Sequence, residues 1–294
     1  MGRQKKAVII GGDARQIEIA QLLAADNTET YIIGFPLWNR NAAGIKKASG
    51  NGDVPWADID TVLLPVSGLK KENIVEACFA AEDIKLDINW LHQLKKDCLI
   101  MSGINTPALN SVLTEIGREA VILMERDDVA IYNSIPTAEG TLLIAMQETD
   151  ITIHHSVTLI LGLGRTGQTI AGTFSNIGAY AKVGTIHPEE KARAAAMGLE
   201  SFDLRELKAE AAKADICINT IPAPVLTEDI LKQFPARAFI IDIASSPGGT
   251  DFDFAKKRGI KAVAAPGLPG AVAPKTAGTI LAKVIIQLLH ETCS

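Results

Sequence analysis

Residues 157–178 read VTLILGLGRTGQTIAGTFSNIG, and this stretch decides the class of fold. The apolar run VTLIL is followed by the pattern G-x-G-x-x-G at Gly162, Gly164 and Gly167, and then by a helix-like segment. In such a strand–turn–helix unit the first glycine permits the tight turn and the second lets the backbone approach a pyrophosphate. The third lets the helix pack closely on the strand. The stretch therefore predicts a dinucleotide-binding turn in a Rossmann-type domain.

The end of the next strand indicates which dinucleotide binds. In NAD sites an acidic residue about 20 positions after the glycines bonds the adenosine ribose. Here the strand AYAKVGT ends at Thr185, and the acidic pair at 189–190 comes later, in an expected helix start. Three groups that attract phosphate are near in sequence: Arg165, His187 and Lys191. The pattern favours NADP and leaves NAD open.

The expected cofactor contacts extend from the glycine turn to the ends of two later strands. They are Gly162, Gly164, Arg165, Thr166, Gly167, Thr185, His187, Thr220 and Pro222. A solvated loop histidine is the alternative for His187, and a residue that simply ends a strand is the alternative for Pro222.

Strand-like and helix-like segments alternate along both halves of the 294-residue chain. In the first half, apolar runs such as AVIIGG alternate with helix-like stretches such as RQIEIAQLLAA and NIVEACFAA, and a second series starts at SVTLILGLG. This alternation predicts an α/β protein with two Rossmann-like domains whose parallel sheets lie around a cleft.

The joint between the domains is expected to be helical. A helix over 134–149, with Ser134 and Pro136 as start signals, joins them, and the amphipathic C-terminal segment returns to the first domain. We therefore expect a flavodoxin-like substrate domain over 1–133 and 276–294. Residues 134–275 would form the NAD(P)-binding Rossmann domain.

Polar residues at the predicted strand ends are the candidates for substrate binding, because ligands of parallel sheets bind there. Asp13 fits a capping box with Gln16, and capping is its favoured role. A cation in a first helical turn needs an anionic partner, and for Arg15 this is either a bound carboxylate or a surface acidic residue. The other candidates are Ser67, Asn133, Thr137, Ser245 and Lys275. Ordinary turn or helix roles are the alternative for each.

Composition argues against several classes of protein. The net charge of −5, the scattered lysines and the few aromatic residues disfavour nucleic acid as a partner. No apolar run approaches the ~18 residues of a membrane helix, and the apolar run near the N-terminus is too short for a signal peptide, so we expect a soluble protein.

The cysteines and histidines predict no disulfide and no metal site. The cysteines are far apart and are expected to be reduced thiols, as in a cytosol: Cys78, Cys98, Cys217 and Cys293. His154 and His155 would point to opposite faces of a strand and so would not share a metal ion.

Several segments together resemble the A subunits of dipicolinate synthase from spore-forming bacteria. These segments are IIGGDARQ, NSIPTAEGTLLIAMQETDITIH, LGLGRTGQTIA, IDIASSPGGTDF and APGLPGAVAPKTAG, and the likeness covers essentially the whole chain. It implies a fold similar to that of the D-2-hydroxyacid dehydrogenases and a location in the mother-cell cytosol. It also implies an enzyme that converts dihydrodipicolinate to dipicolinate with a nicotinamide cofactor, NADP being favoured, together with a flavoprotein-like B subunit.

A dicarboxylate substrate favours cations and backbone N–H groups, which points to Arg15, Lys275 and the PGG loop. The general-base histidine of the related dehydrogenases has no counterpart in the loops after IIDIASS or AAPGLPG. Water, Asp13 or the B subunit would have to serve, so the catalytic residue is unassigned.

Two other functions stay open at this point. One is a stand-alone NAD(P)-dependent reductase of a hydroxy or keto acid, and the other is a non-catalytic NADP-binding regulatory subunit. The apolar face of the C-terminal helix suggests a homo-oligomer.

Overall fold

The computed structural model describes residues 3–40, 42–50 and 52–291. The chain divides into two compact units, one formed by the chain up to Val129 and from Pro274 onward, the other by Ala130–Ala273. Each unit contains a six-stranded sheet in which all neighbouring strands are parallel. The α/β class with two Rossmann-like domains is therefore confirmed.

The strands have the short lengths typical of α/β proteins. In the first unit they are β1 (Lys6–Ile10), β2 (Glu29–Ile33), β3 (Ile45–Ala48), β4 (Thr61–Leu63), β5 (Leu69–Lys70), β6 (Ile74–Val75), β7 (Ile84–Lys85), β8 (Leu99–Ser102) and β9 (Val121–Ile122). In the second unit they are β10 (Val157–Leu161), β11 (Tyr180–Thr185), β12 (Glu200–Asp203), β13 (Ile216–Asn219), β14 (Phe239–Asp242) and β15 (Lys261–Ala264).

Most of the helices connect consecutive strands. They are α1 (Ala14–Ala25), α2 (Ile88–His92), α3 (Pro107–Ile116), α4 (Asp127–Glu148), α5 (Arg165–Asn176), α6 (Pro188–Ala196), α7 (Leu207–Ala211), α8 (Glu228–Leu231), α9 (Phe252–Arg258), α10 (Leu268–Val272) and α11 (Pro274–Glu291). Short 3₁₀ turns lie at Trp56–Asp58, Lys71–Asn73, Leu123–Glu125 and Leu204–Glu206.

Both large sheets have the same strand order. The first runs β3-β2-β1-β4-β8-β9 and the second β12-β11-β10-β13-β14-β15, so that each follows the Rossmann order 3-2-1-4-5-6. A flavodoxin-like sheet would run 2-1-3-4-5, and the first sheet does not match that prediction. The alternation of elements in the sequence predicted parallel strands, but it carries no information on which edge β3 joins.

A small antiparallel sheet, β5-β6-β7, follows β4 in the first unit. Its central strand Ile74–Val75 lies inside the segment NIVEACFAA, for which we expected a helix. That prediction is wrong. The pairs Leu69↔Val75 and Val75↔Ile84 give the buried Val75 two strand neighbours, which a lone helical turn would not.

Helices α1 and α11 pack against each other in the first unit. Asp13 caps α1, and Asp13 and Gln16 form a complete capping box, as predicted. The apolar side of α11 is buried, including Leu281, Ile285 and Leu289. The apolar face from which we expected a homo-oligomer therefore lies inside the unit and gives that expectation no support.

The helix between the two series of strands is longer than expected. It begins at Asp127, not at Ser134, and Pro136 lies in its interior. Two acidic residues, Asp127 and Asp128, stand in its first turn, where negative charge is favourable. The hydroxyl of Ser134 donates to the carbonyl of Ile131 (2.6 Å), which is a helix-interior role and not a cap.

The central strands of the second unit are fully buried, and Leu159, Ile160 and Leu161 of β10 have no exposed surface. Cys217 on the neighbouring β13 is equally buried, and burial raises the pKa of its thiol. Among the described residues the free cysteines are Cys78, Cys98 and Cys217. Cys293 lies outside the described residues.

Candidate active site

Two glycines of the turn after β10 are required by the protein's own packing. Gly162 has a φ of +88°, and a Cβ atom there would lie 2.7 Å from the Oγ1 atom of Thr220. A Cβ atom on Gly167 would lie 2.3 Å from the carbonyl oxygen of Gly162. The first glycine thus allows the turn, and the third lets α5 start against it, as the sequence pattern predicted.

Gly164 differs from these two because no atom of the described residues requires a glycine there. Its φ is −69°, and a Cβ atom there would meet no described atom within 4 Å. Gly164 is the N-cap of α5, and no side chain caps this helix. Its first turn, with Arg165 and Thr166, therefore presents backbone N–H groups at an exposed helix end. Such an end fits a pyrophosphate.

Thr185 lies at the end of β11, where the site was expected, and it is almost completely buried. Its Oγ1 atom accepts a hydrogen bond from the backbone N–H of His187 (3.1 Å) and contacts a carboxylate oxygen of Glu190. The same carboxylate oxygen accepts the backbone N–H of Leu163 (3.2 Å).

An acidic group therefore does lie beside the turn. We expected the acidic pair at 189–190 to lie in a helix start after the strand, and Glu190 nevertheless reaches the turn from that helix. Helix α6 turns the side chain of Glu190 back over the ends of β10 and β11.

The three groups expected near the phosphate differ in position, and Lys191 is directed away from the turn. The Nζ atom of Lys191 lies 2.8 Å from a carboxylate oxygen of Asp203, at the end of the edge strand β12. The guanidinium of Arg205 and then Lys191 hold the pKa of Asp203 far below its usual range. His187 is the N-cap of α6, and its side chain is 58% exposed. Arg165 begins α5 and is exposed.

The strand β13 ends beside the glycine turn. The hydroxyl of Thr220 donates to the carbonyl of Leu161 (2.8 Å), so this side chain supports the turn. Asn219 is buried, and its amide group exchanges two hydrogen bonds with the backbone of Ile221, each 3.1 Å long. Asn219 shapes the exposed loop that contains Pro222, a role that the sequence analysis missed.

The loop after β14 is held by a buried carboxylate that the sequence analysis also missed. Asp242 accepts hydrogen bonds from the N–H groups of Ala244 and Gly249 (both 3.0 Å) and from the hydroxyl of Thr250 (2.6 Å). Ser245 lies in this loop and is exposed. The signal for Asp242 in the sequence is an acidic residue that ends an apolar strand.

In the first unit the structure brings Asp13 and Arg15 together. Nε and Nη2 of Arg15 donate to the Asp13 carboxylate, with the closest contact at 2.6 Å. The anionic partner that we expected for Arg15 is therefore its own helix cap. Ser67 is exposed in the tight turn after β4. Lys275 is exposed in the first turn of α11, and no described contact joins Ser67 or Lys275 to this pair.

Asn133 and Thr137 lie one turn apart on α4. The hydroxyl of Thr137 donates to the backbone carbonyl of Asn133 (2.8 Å). Asn133 is buried, with 5% of its surface exposed. Both residues are compatible with a ligand role, and the hydrogen bond between them also has a purely structural role within α4.

Among the described residues, no group of three or more His, Cys, Asp or Glu side chains is arranged to hold a metal ion. The ring centroids of His154 and His155 lie 3.8 Å apart, in a turn and not on a strand, so the geometric reason we gave against a shared ion is wrong. His155 stacks on Tyr180 instead.

None of the helices in the described part of the chain has the length and apolar character required to cross a membrane.

Comparison with known proteins connects this geometry to a family. The chain is 46% identical to the dipicolinate synthase A subunit of Bacillus subtilis (strain 168) over 97% of this chain and 96% of that one. A crystal structure of the dipicolinate synthase A subunit from Bacillus halodurans superposes with a TM-score of 0.94 at 46% identity, covering 98% of this chain and 99% of the other. The chain belongs to the family of dipicolinate synthase A subunits.

Two family models match successive parts of the chain, and the second includes the C-terminal segment that packs in the first unit of the structure. Residues 6–124 match the N-terminal domain of the dipicolinate synthase A subunit. Residues 136–294 match the alanine dehydrogenase/PNT C-terminal domain. The latter is a nicotinamide-dinucleotide-binding family, which agrees with the turn at 162–167.

The fold of this member of the dipicolinate synthase family also resembles that of a D-2-hydroxyacid dehydrogenase. A structure of Salmonella D-lactate dehydrogenase matches at a TM-score of 0.64 and 14% identity, over 97% of this chain and 96% of the other. The predicted similarity of fold is confirmed.

Proposed function

We propose that this protein is the dehydrogenase component of dipicolinate synthase and oxidises dihydrodipicolinate to dipicolinate with NADP, acting with a B subunit. One C–H bond of the dihydropyridine ring would break with its electron pair leaving as hydride, and one proton would leave as the ring becomes aromatic. The bound nicotinamide would supply the hydride acceptor. The function rests on the chain's membership of this family.

The observation in the structure that carries the proposal is the start of helix α5. No side chain caps this helix, and the space above Gly164 holds no described protein atom within 4 Å. A pyrophosphate bound there would accept hydrogen bonds from backbone N–H groups of the first turn and lie at the positive end of the helix dipole. The residues present therefore fit a dinucleotide.

The residues of the first unit would fix the two carboxylates of the substrate. Arg15 donates to Asp13 through Nε and Nη2, and its Nη1 atom makes no hydrogen bond to a described residue. A guanidinium has five N–H donors, so donors are left for a carboxylate. Because Asp13 balances the charge, Arg15 would act through directed hydrogen bonds. Lys275 would add a positive charge at an exposed helix start.

Polar residues elsewhere would complete the substrate contacts. We include Ser67, Asn133, Thr137 and Ser245 in this group. Asp242 would act through Ser245, because its three hydrogen bonds hold the loop in which Ser245 lies. Such contacts would raise the rate by placing the ring precisely against the hydride acceptor.

The proton has no histidine to accept it in the loops after β14 and β15. A base is needed only after or during loss of hydride, and a residue of the B subunit or water would then serve. A base supplied by the B subunit would explain a requirement for two different subunits.

The choice of NADP depends on a balance of charges. Arg165, His187 and Lys191 favour a 2′-phosphate, whereas the carboxylate of Glu190 opposes it. We propose that the cations prevail, so that the protein binds NADPH with a Kd well below that for NADH. Titration by quenching of protein fluorescence measures both constants, and equal or tighter binding of NADH would refute this preference.

The activity is tested by following dipicolinate formation from freshly generated dihydrodipicolinate and NADP. We expect this protein with the B subunit to form dipicolinate and NADPH in equal amounts. NADPH binding without any dipicolinate formation by the two subunits together would instead indicate a regulatory subunit. Turnover of hydroxy or keto acids by the protein alone would indicate the reductase.

A further inference from the structure

The carboxylate of Glu190 occupies a defined position at the dinucleotide turn. Its Oε2 atom accepts the N–H of Leu163, the residue between the first two glycines, and contacts the hydroxyl of Thr185. Because Thr185 Oγ1 accepts the N–H of His187, its own hydrogen is available to donate to Glu190. Two donors therefore fix the carboxylate over the ends of β10 and β11.

The second oxygen of this carboxylate, Oε1, makes no hydrogen bond to any residue that the structure describes. In Rossmann sites the adenosine ribose lies at the end of the second strand, which here is β11. Glu190 thus holds an acceptor where a ribose hydroxyl would lie, although it comes from a helix and not from the strand end.

We infer that Glu190 is a specificity-determining residue that accepts a hydrogen bond from the adenosine ribose and opposes a 2′-phosphate. This inference rests on the proposed function, in that it requires a dinucleotide at this turn. The negative charge of Glu190 repels a 2′-phosphate, so that it lowers the affinity for NADPH relative to that for NADH.

The neighbouring cation does not cancel this charge. Lys191 turns the other way and pairs with Asp203, which also binds Arg205. The carboxylate of Glu189 is 73% exposed and lies 3.9 Å from Nδ1 of the His187 imidazole. Glu189 therefore provides a matched control, since it has the same charge on the same helical turn but does not reach the glycine turn.

The test compares the ratio of the NADH and NADPH dissociation constants in the wild-type protein, Glu190→Gln, Glu190→Lys and Glu189→Gln. The amide of Glu190→Gln keeps an oxygen for the Leu163 N–H, so the turn stays intact. We expect this variant to shift the ratio toward NADPH by about tenfold or more, and Glu190→Lys to shift it further. Glu189→Gln is expected to leave it unchanged.

A second titration isolates the phosphate. Adenosine 2′,5′-bisphosphate and 5′-AMP differ only at the ribose 2′ position, so their affinity ratio is expected to follow the same order among the variants. Circular dichroism and thermal melting show that each variant is folded.

The outcomes separate the inference from the proposed function. If the wild-type protein binds both dinucleotides and Glu190→Gln leaves the ratio unchanged, or Glu189→Gln shifts it equally, the inference is wrong and the proposed function stands. If neither dinucleotide binds the wild-type protein, both are wrong.

Discussion

The packing of the protein requires glycine at 162 and 167 but not at 164. Replacement of Gly164 by alanine therefore tests whether a bound dinucleotide requires glycine at this position. The backbone of Gly164 has a φ of −69°, which alanine adopts without strain, and the added methyl group meets no described atom within 4 Å. We expect Gly164→Ala to fold as the wild-type protein does. The methyl group would lie on the side from which a pyrophosphate approaches the N–H groups of α5.

The two expected effects differ in size. Glycine is a better N-cap than alanine, so the stability cost is about 0.5–1 kcal/mol. If the methyl group displaces the pyrophosphate enough to break one charge-assisted hydrogen bond, about 1.5–3 kcal/mol of binding is lost. That loss corresponds to a Kd for NADPH raised roughly 10- to 150-fold.

Two other glycines of the same helix are the controls. At Gly172 a Cβ atom would approach only the Met197 side chain, at 3.9 Å, so Gly172→Ala should gain about 0.5–1 kcal/mol of stability and bind NADPH normally. At Gly167 the Cβ atom would lie 2.3 Å from the Gly162 carbonyl, so Gly167→Ala should lose both stability and binding.

The assay pairs urea unfolding with fluorescence titration of NADPH for the three variants. Gly164→Ala alone is expected to combine near-normal stability with weak binding. Normal NADPH affinity in a folded Gly164→Ala protein would refute the placement of the pyrophosphate at α5.

Two further predictions concern the first unit. Arg15→Ala should weaken dipicolinate binding about tenfold or more by calorimetry while leaving NADPH binding intact, because one charge-assisted contact is lost. The control is Arg205→Ala, which removes an exposed guanidinium in the second unit. An unchanged dipicolinate affinity in Arg15→Ala would show that Arg15 does not contact the substrate. Gly278→Ala should destabilise the protein by about 1–3 kcal/mol in urea, since its Cβ atom would lie 2.7 Å from the Arg15 carbonyl oxygen and from the Glu18 Cβ atom. An unfolding midpoint equal to that of wild type would contradict this close packing of α11 on α1.

The features that the sequence predicted well are those fixed by local chemistry. The glycine spacing required a tight turn between a strand and a helix, and Asp13 with Gln16 met the requirements of a capping box. The amphipathic segment from Pro274 formed the final helix because its apolar residues recur at helical spacing. Each of these signals lies within a few residues of the structure that it predicts.

The features that the sequence did not predict depend on contacts between distant segments. The strand Ile74–Val75 has a composition that also suits a helix, and only its pairing with Leu69 and Ile84 decides between them. Asn219 and Asp242 look like ordinary polar ends of apolar strands until the loops that they bind are seen. The early start of α4 at Asp127 was hidden by Pro136, which usually marks a helix boundary but here lies inside the helix.

Glu190 lies beside the glycine turn, where a rule based on spacing does not look for an acidic residue. The rule looks for an acidic residue at the end of the second strand, and Thr185 there is neutral. Consecutive residues on a helix point about 100° apart, so the first turn of α6 directs Glu190 to β10 and β11 and Lys191 to Asp203 on β12. Under the proposal, the acidic group that opposes a 2′-phosphate comes from one helical turn and not from a strand end. If Glu190→Gln shifts the cofactor ratio, the charges facing the ribose in such enzymes have to be read from the helix that follows the strand as well as from the strand itself.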